Sequence, residues 1–337
     1  MLFILRKKLV AFGVALLLCL WEFPAICQKS FIPILLPDSL KIGAREFSSL
    51  EIAHNRLYLL GENRFDHFKM PTAGLYSIPL SELDECIRSP DRMISDFQYH
   101  LLEGIDWAAQ HIEGYQGLEA LVIEGTRFYV TVETDVTEDS CFLLTGTIDH
   151  DIFKLDTTQI VAIPKPSLSD GSQVFNAGFE SLLFSKGVLY TLYEFNNFKK
   201  NYILRIDPST QSVRRITLNR AIPFRTTDLA KWKRKKIIGL NYFFPLKAEQ
   251  IYSTDLSASD RRLISENDTI LHPFARLSLF KLTKKRMKLV RYIDLPTDLW
   301  TSNWEGIVCY KNGALIVNDK YINNGGRETR LIYLTLD

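Results

Sequence analysis

Residues 301–321 read TSNWEGIVCYKNGALIVNDKY. Two short runs rich in Ile, Val, Leu and Ala flank an Asn-Gly pair, a pattern that predicts two strands joined by a tight turn. Glu305 stands at the start of the first run, and Asp319 follows the second. Because the second strand of a hairpin returns to the end where the first began, we expect both carboxylates at that end.

The same pattern occurs five times along the chain, and each copy has an acid at the start of its first strand. These leading acids are Glu51, Glu119, Glu180, Asp228 and Glu305. The copy that begins near Asp228 is degenerate, because the basic run 231–236 replaces apolar residues. The intervals between the acids run from 48 to 77 residues, and each is near the size of a four-stranded repeat.

Two more strands are predicted after each copy except the last, which ends one strand short at Asp337. The stretch FIPILLPDSL (31–40) is similar to LVRYIDLPTDL (289–299), so we expect it to supply the missing strand. The sequence therefore predicts an all-β fold, a five-bladed β-propeller whose ring is closed by the N-terminal strand completing the last blade. A six-bladed ring, with an extra blade in the interval before Glu305, is the alternative.

The N-terminal residues 1–27 have the features of a secretory signal peptide. A basic head (residues 6–8) precedes an apolar run (residues 9–20), and Ala25-Ile26-Cys27 is a candidate cleavage site. We expect a secreted or periplasmic protein with one domain over residues 28–337. An uncleaved membrane anchor is the alternative, although the run is short for a membrane span.

Composition restricts the function classes. A chain of 337 residues with 46% hydrophobic content can bury a full core. Residues 1–27 contribute all of the net charge of +2, so the mature chain is near neutral and no nucleic-acid partner is expected. Its three cysteines are too widely spaced for a zinc site or a disulfide framework. No other segment approaches the length of a membrane span, and we expect a soluble monomer.

The five leading acids predict a metal site. In a propeller the first strand of each blade lines the central channel, so these carboxylates surround one channel mouth and repel one another. A hard divalent cation relieves that repulsion, and Ca²⁺ tolerates irregular oxygen coordination. The predicted ligands are Glu51, Glu119, Glu180, Asp228 and Glu305. The alternative is that the acids accept hydrogen bonds from backbone amides and cap the strands without a metal.

Basic residues in the loops at the same end predict an anionic ligand. The predicted ligand-binding residues are Arg64, Lys199, Lys200 and Lys320. A long insertion at about 241–275 is expected to arch over the channel mouth. The partner is therefore expected to be an anionic small molecule or a surface ligand. The basic turn KWKRKKI (231–237) falls at the opposite end and is too short to indicate nucleic acid.

Three of the copies, GLEALVIEGTRFYVTVE, GFESLLFSKGVLYTLYE and WEGIVCYKNGALIVNDK, carry a resemblance to a known family. The chain resembles the phytase-like, esterase-like β-propeller family of secreted bacterial proteins over nearly all of its mature length. This resemblance implies a propeller with a channel-facing acidic ring, possible metal binding, and hydrolysis of phosphoesters or esters.

The sequence leaves three functions open. In a metal-assisted hydrolase, the cation activates water and a second acid, Glu133 or Glu194, takes the proton. A calcium-dependent lactonase uses the same parts. A non-enzymatic propeller that binds a protein or glycan needs the cation only for its structure.

Overall fold

The structure is a computed structural model. It describes residues 31–42, 45–62, 74–167, 171–196, 202–233, 235–245, 256–265, 271–318, 321–323 and 326–336. The helices within these ranges are all too short or too polar to cross a membrane.

Strands dominate the described chain. The first half contains strands β1 (Phe31–Ile34), β2 (Phe47–Ala53), β3 (Arg56–Gly61), β4 (Gly74–Pro79), β5 (Gln98–Glu103), β6 (Tyr115–Glu124), β7 (Arg127–Thr134), β8 (Ser140–Asp149) and β9 (Ile152–Pro164). The second half contains β10 (Leu183–Ser185), β11 (Val188–Thr191), β12 (Tyr202–Asp207), β13 (Ser212–Leu218), β14 (Arg225–Lys233), β15 (Lys236–Phe243), β16 (Phe274–Leu282), β17 (Arg286–Asp294), β18 (Trp304–Tyr310), β19 (Gly313–Asn318), β20 (Tyr321–Asn323), β21 (Gly326–Glu328) and β22 (Leu331–Thr335). The helices are α1 (Asp38–Lys41), α2 (Leu80–Arg88), α3 (Ile105–His111) and α4 (Ala258–Ile264), with a 3-10 turn at Thr297–Leu299.

The strands form three large sheets and one small ribbon. One four-stranded sheet has the order β1-β22-β19-β18. Two eight-stranded sheets have the orders β2-β3-β4-β5-β9-β8-β7-β6 and β10-β11-β12-β13-β17-β16-β15-β14. Strands β20 and β21 make a separate two-stranded ribbon.

The predicted fold class therefore needs correction. A five-bladed propeller, or its six-bladed alternative, consists of separate four-stranded sheets, whereas here strands of different repeats share a sheet. The outer strands β5 and β9 pair in parallel through Leu102–Phe153 and Glu103–Lys154. Strands β13 and β17 do the same over residues 217–218 and 286–287. The protein is an all-β fold of two eight-stranded sheets and one four-stranded sheet.

The two ends of the chain meet in the four-stranded sheet. Strand β1 pairs antiparallel with β22 from Phe31–Leu334 to Ile34–Leu331, and β22 pairs with β19 on its other side. The N-terminal strand thus joins the last repeat, which is the pairing that the similarity between segments 31–40 and 289–299 indicated.

The hydrophobic core lies between neighbouring four-stranded units. One cluster joins Leu240 and Leu277 of the β14–β17 unit to Trp304, Ile316 and Ile332 of the four-stranded sheet. All five side chains are fully or almost fully buried. Because strand residues alternate in direction, each sheet can present apolar side chains to both of its neighbours.

Several sequence predictions fall outside the described residues. The signal peptide 1–27 does, and it stays a prediction. Of the predicted insertion at 241–275, the structure describes the end of β15, helix α4 and the start of β16. Helices α2 and α3, which were not predicted, lie on either side of β5 in the chain.

Candidate functional site: a central carboxyl cluster

Five strands that begin the repeats lie at the centre of the fold, and we call them the inner strands: β2, β6, β10, β14 and β18. Each contacts two of the others, in the cyclic order β2-β6-β10-β14-β18. Neighbouring inner strands run in the same direction. For example, Thr227 of β14 donates to the Trp304 carbonyl of β18 at 2.8 Å, and the next residue, Asp228, accepts the amide of Ile307 farther along β18. The starts of the inner strands therefore lie at one end of the fold.

Arg225 connects two glutamates at this end. Its Nε donates to Glu194, and its Nη2 lies 3.4 Å from Oε1 of Glu180. The same Nη2 donates to the Asn176 carbonyl at 2.9 Å. The Glu194 side chain is completely buried, and its other oxygen accepts the Gly178 amide at 2.9 Å. Arg225 and Glu194 thus form a fixed buried support beside Glu180.

Glu305 is held from the other side. Its Oε1 accepts hydrogen bonds from the Tyr242 hydroxyl at 3.3 Å and from the Asn303 side-chain amide at 2.7 Å. Two donors on one carboxylate oxygen stabilise negative charge there. Glu305 is only 8% exposed, so this charge lies in a largely desolvated place.

Glu180 is the carboxyl group whose pKa all the other charges of this site affect. Its side chain is 6% exposed, and burial raises its pKa well above the usual range. The negative charges of Glu194, Glu305 and Glu119 raise that pKa further, and Arg225 opposes the rise. Burial and the neighbouring carboxylates therefore both favour the protonated form of Glu180. We call Glu119, Glu180, Glu194 and Glu305, with Arg225, the central carboxyl cluster.

Asp228 and Glu51 lie apart from Glu180. Both oxygens of Asp228 accept backbone amides, those of Leu229 at 2.8 Å and Ile307 at 2.9 Å. Burial raises the pKa of Asp228, and the charges of Glu51 and Glu305 add to the effect, while the two amides oppose it. Asp228 therefore acts as the backbone cap that the sequence left open as the alternative to metal binding.

Glu51 is partly buried, and two charged residues that act on it, Glu124 and Lys231, lie toward the ends of β6 and β14. Its Oε1 accepts the amide of Ile52 at 3.0 Å. Burial raises its pKa to about 8; the Ile52 amide and Lys231 lower that pKa, and Glu124 raises it. The five predicted ligands thus do not form one ring. Glu119 and Glu305 act on Glu180, whereas Asp228 interacts with both Glu305 and Glu51.

The two predicted proton acceptors are both buried. Glu133 is 3% exposed and lies in β7, directly opposite Gly117 of β6. A Cβ at Gly178 would lie 3.2 Å from Cγ of Glu133, so this glycine lets the two segments approach closely. Glu194 supports Arg225. All four predicted ligand-binding residues lie outside the described residues: Arg64, Lys199, Lys200 and Lys320.

Sequence reasoning missed Arg225, Tyr242 and Asn303. Arg225 lies three residues before the acid of the degenerate copy, and only the fact that the other copies have Ser, Gln or Ala at this position distinguishes it. Tyr242 lies among the apolar residues of β15 and reads as core. The roles of Arg225 and Tyr242 depend on partners 31 to 63 residues away in the chain, which no local pattern indicates. Asn303 donates to Glu305 only two residues later, but a short polar residue before a strand is too common to stand out.

A comparison with solved structures identifies what this arrangement of strands is similar to. The fold is similar to that of a GH43 glycoside hydrolase. That enzyme is a β-xylosidase/α-arabinofuranosidase from a compost microbial metagenome, and its structure was solved with xylotriose in a calcium-free form. The TM-score is 0.50 at 11% identity, over 92% of this chain and 96% of that one.

Two further structures are similar at lower scores. One is a β-xylosidase with a TM-score of 0.49 at 11% identity, over 90% of this chain and 95% of that one. The other is a GH43_1 enzyme from Xanthomonas citri, with a TM-score of 0.47 at 9% identity, over 86% and 87% of the two chains. No family model matches the sequence. No curated protein sequence matches it significantly either.

The predicted calcium site can be compared with this geometry. Among the residues that the structure describes, no group of three or more His, Cys, Asp or Glu side chains is arranged to hold a metal ion. Arg225 already supplies a positive charge to Glu180 and Glu194. Both oxygens of Asp228 accept hydrogen bonds from backbone amides. A cation at these positions would have to compete with the Arg225 guanidinium and with the backbone amides, and the calcium site stays a prediction.

Proposed function

We propose that the protein is a glycoside hydrolase in which the central carboxyl cluster supplies both the acid and the base. The observation that carries this proposal is the raised pKa of Glu180 next to Glu305, whose carboxylate is stabilised by two hydrogen-bond donors. Glycosidases use such a pair, one carboxyl group protonated and one ionised.

In this proposal Glu180 donates its proton to the glycosidic oxygen as the bond to the sugar C1 breaks. Glu305 acts from the opposite side, either by taking a proton from the attacking water or by attacking C1 itself. Arg225 and Glu194 hold Glu180 in position, and Tyr242 holds Glu305. Glu119, which is 5% exposed and acts electrostatically on Glu180, helps to keep that proton bound.

The choice of substrate class is supported by the fold. The similar structure with a TM-score of 0.50 is a β-xylosidase/α-arabinofuranosidase, so pentosides are the first substrates to test. The carboxyl groups of Glu119, Glu180 and Glu305 are each at most 8% exposed, which favours a substrate that presents a single terminal sugar to the cluster.

The test is an assay of the purified protein on aryl xylosides and arabinofuranosides, with aryl acetate and aryl phosphate as comparison substrates. We expect pentoside turnover that falls by about 10²–10⁴-fold in Glu180→Gln and in Glu305→Gln. The exposed Glu113→Gln is the matched control and should keep full activity. Equal rates in all three variants, or no pentoside turnover by the wild type, would contradict the proposal.

A metal-assisted ester or phosphoester hydrolase, as the sequence predicted, is the second candidate. One observation favours it: Oε2 of Glu180 is buried and accepts no hydrogen bond from any described residue, so an oxygen is available for a cation. A cation there would have to compete with the Arg225 guanidinium. Aryl phosphate or acetate turnover that is lost on chelation and restored by Ca²⁺ would support this candidate over the first.

A further inference from the structure

Four exposed lysines lie directly opposite one another across four neighbouring strands. Lys233 of β14 pairs with Lys236 of β15, Lys236 pairs with Lys281 of β16, and Lys281 pairs with Lys288 of β17. Directly paired residues project on the same side of a sheet, with Cβ atoms about 4.5–5.5 Å apart. Like charges in this arrangement destabilise a sheet. We call these four residues the lysine row.

No negative charge compensates the lysine row locally. The turns beside it add Lys235, Lys284, Lys285 and Arg286, all of them exposed. The segments 229–248 and 269–293 contain neither Asp nor Glu. None of the lysines in the row forms an ion pair with another described residue. Such a concentration of one sign, in a chain that is otherwise near neutral, indicates an anionic partner.

An aromatic side chain adjoins the row. The Lys233 ammonium lies 4.8 Å from the centre of the Trp232 ring, and that of Lys236 lies 5.6 Å from it. The Trp232 ring is partly exposed and packs with its inner part against the hydrophobic core. Tryptophan next to lysine is the combination found where proteins meet the headgroup region of a bilayer.

The lysine row and the carboxyl cluster lie at opposite ends of the fold. Arg225 begins β14 and Lys233 ends it, so the strand separates the two sites. The N-terminal strand enters at the end that carries the row. Phe31 pairs with Leu334, and Leu334 pairs with Ala314, next to the turn after β18. The first described strand, β1, therefore begins at the end of the fold that carries the row.

We propose that the lysine row is a docking surface for an anionic phospholipid bilayer. The phosphate groups of the headgroups supply the negative charge that the sheet lacks, and Trp232 enters the headgroup region. Docking in this orientation leaves the central carboxyl cluster facing away from the bilayer. The Trp232 ring beside Lys233 and Lys236 favours a bilayer over a soluble polyanion, because an aromatic ring next to lysines suits the headgroup region.

The test is co-sedimentation of the full chain with vesicles of phosphatidylcholine alone, or of phosphatidylcholine and phosphatidylglycerol at three to one. The test variant is Lys236→Gln, Lys281→Gln, Lys288→Gln. Its matched control is Arg88→Gln, Lys154→Gln, Arg262→Gln, which removes the same charge from exposed positions elsewhere. The apolar N-terminal run is identical in all three proteins.

We expect the wild type and the control to partition strongly onto the anionic vesicles, and the test variant to partition about a hundredfold less, since each lysine contributes about fivefold. Added salt should release the wild type, and glycerol phosphate at the same total phosphate should not. Because the substitutions relieve repulsion, the test variant should melt no lower than the wild type.

Three results would overturn the proposal. The first is equal partitioning of the wild type onto both vesicle types. The second is equal partitioning of the test and control variants onto the anionic vesicles. The third is retention of the wild type on heparin, lost in the test variant, without binding to the anionic vesicles, because this assigns the row to a soluble polyanion.

Discussion

Asp228 accepts a hydrogen bond from the backbone amide of Ile307, 79 residues later in the chain, at 2.9 Å. Its second oxygen accepts the amide of Leu229 at 2.8 Å. One buried carboxyl group thus fixes the separation of the inner strands β14 and β18. Since Glu305 lies two residues before Ile307, the same contact helps to position the proposed base.

Asp228→Asn should destabilise the protein through one lost acceptor. An asparagine has a single side-chain oxygen, so either the Ile307 or the Leu229 amide would face an NH2 group. We expect the free energy of unfolding to fall by about 1–3 kcal/mol, the cost of leaving a buried donor unsatisfied. Urea denaturation at neutral pH measures it.

The neighbouring Thr227→Val provides a comparison for Asp228→Asn, because it removes a single hydrogen bond to the Trp304 carbonyl. It should cost about 1 kcal/mol. An Asp228→Asn variant as stable as the wild type would show that this carboxyl group does not cap the strands, and would restore it as a candidate ligand.

Arg225→Met should be the more damaging change, because it leaves the carboxyl groups of Glu180 and Glu194 buried together without a positive charge. Breaking a buried ion pair in this way costs about 3–5 kcal/mol. Arg225 opposes the rise in the pKa of Glu180, so without it Glu180 holds its proton more tightly in the folded state, and the loss of stability should grow as pH rises from 5 to 8. Denaturation curves at several pH values test both points.

The exposed Arg214→Met is the control for Arg225→Met and should change stability little. A deficit in Arg225→Met that is the same at pH 5 and pH 8 would contradict the electrostatic account. It would assign the effect to lost packing, since the Arg225 guanidinium also lies 5.2 Å from the Phe195 ring centre.

Glu51 should make stability depend on pH. Its pKa rises from 4.5 to about 8 on folding, so between these values the folded state holds a proton that the unfolded state has lost. Raising the pH therefore favours unfolding, and the stabilisation that is complete below pH 4.5 is lost by about pH 8. Glu51→Gln cannot titrate and should remove this part of the slope.

The advantage of Glu51→Gln over the wild type should grow with pH by a few kcal/mol, about 1.4 for each unit of the pKa shift as an upper bound. Melting scans from pH 5 to pH 9 measure this difference, with the exposed Glu113→Gln as the control. Parallel stability curves for Glu51→Gln and the wild type would rule out a shifted carboxyl group at this position.

The predicted calcium site has a direct test in melting scans after chelation and with Ca²⁺, Mg²⁺ or Mn²⁺ restored. A cation bound only by the folded state adds about 2.7 kcal/mol at a hundredfold excess over its dissociation constant. Because Arg225 already neutralises part of the cluster, we expect no such rise in the wild type. A rise specific to Ca²⁺ that is lost in Glu119→Ala would instead establish the site.

The sequence was sufficient to find the repeats, because hairpins with alternating apolar residues and turn signals are local patterns. It was also sufficient to expect Glu119, Glu180 and Glu305 near one another, since each begins an inner strand. The sharing of sheets was not predictable. It depends on two residue pairs at each junction, such as Leu102–Phe153, between outer strands with no distinguishing sequence.

The separation of Glu51 from Glu180 was also beyond the sequence. Strands β2, β6, β14 and β18 each shift register against their partners near the acids, for example between Thr226 and Asp228. One extra residue in a strand changes the side to which the following side chains point. Aligned acids in the sequence thus need not lie at one level.

The pairing of β1 with β22 has a consequence for how the chain folds. During synthesis β1 emerges long before its partner, residues 331–335, because about 300 residues separate them in the chain. Until then β1 has no strand to join, and the outer side of β19, which also pairs with β22, stays uncovered. The four-stranded sheet can therefore assemble only once residues 331–335 have been made, and contacts so distant in the chain are expected to form slowly. A shortened C-terminus should leave two open strand edges and aggregate rather than fold.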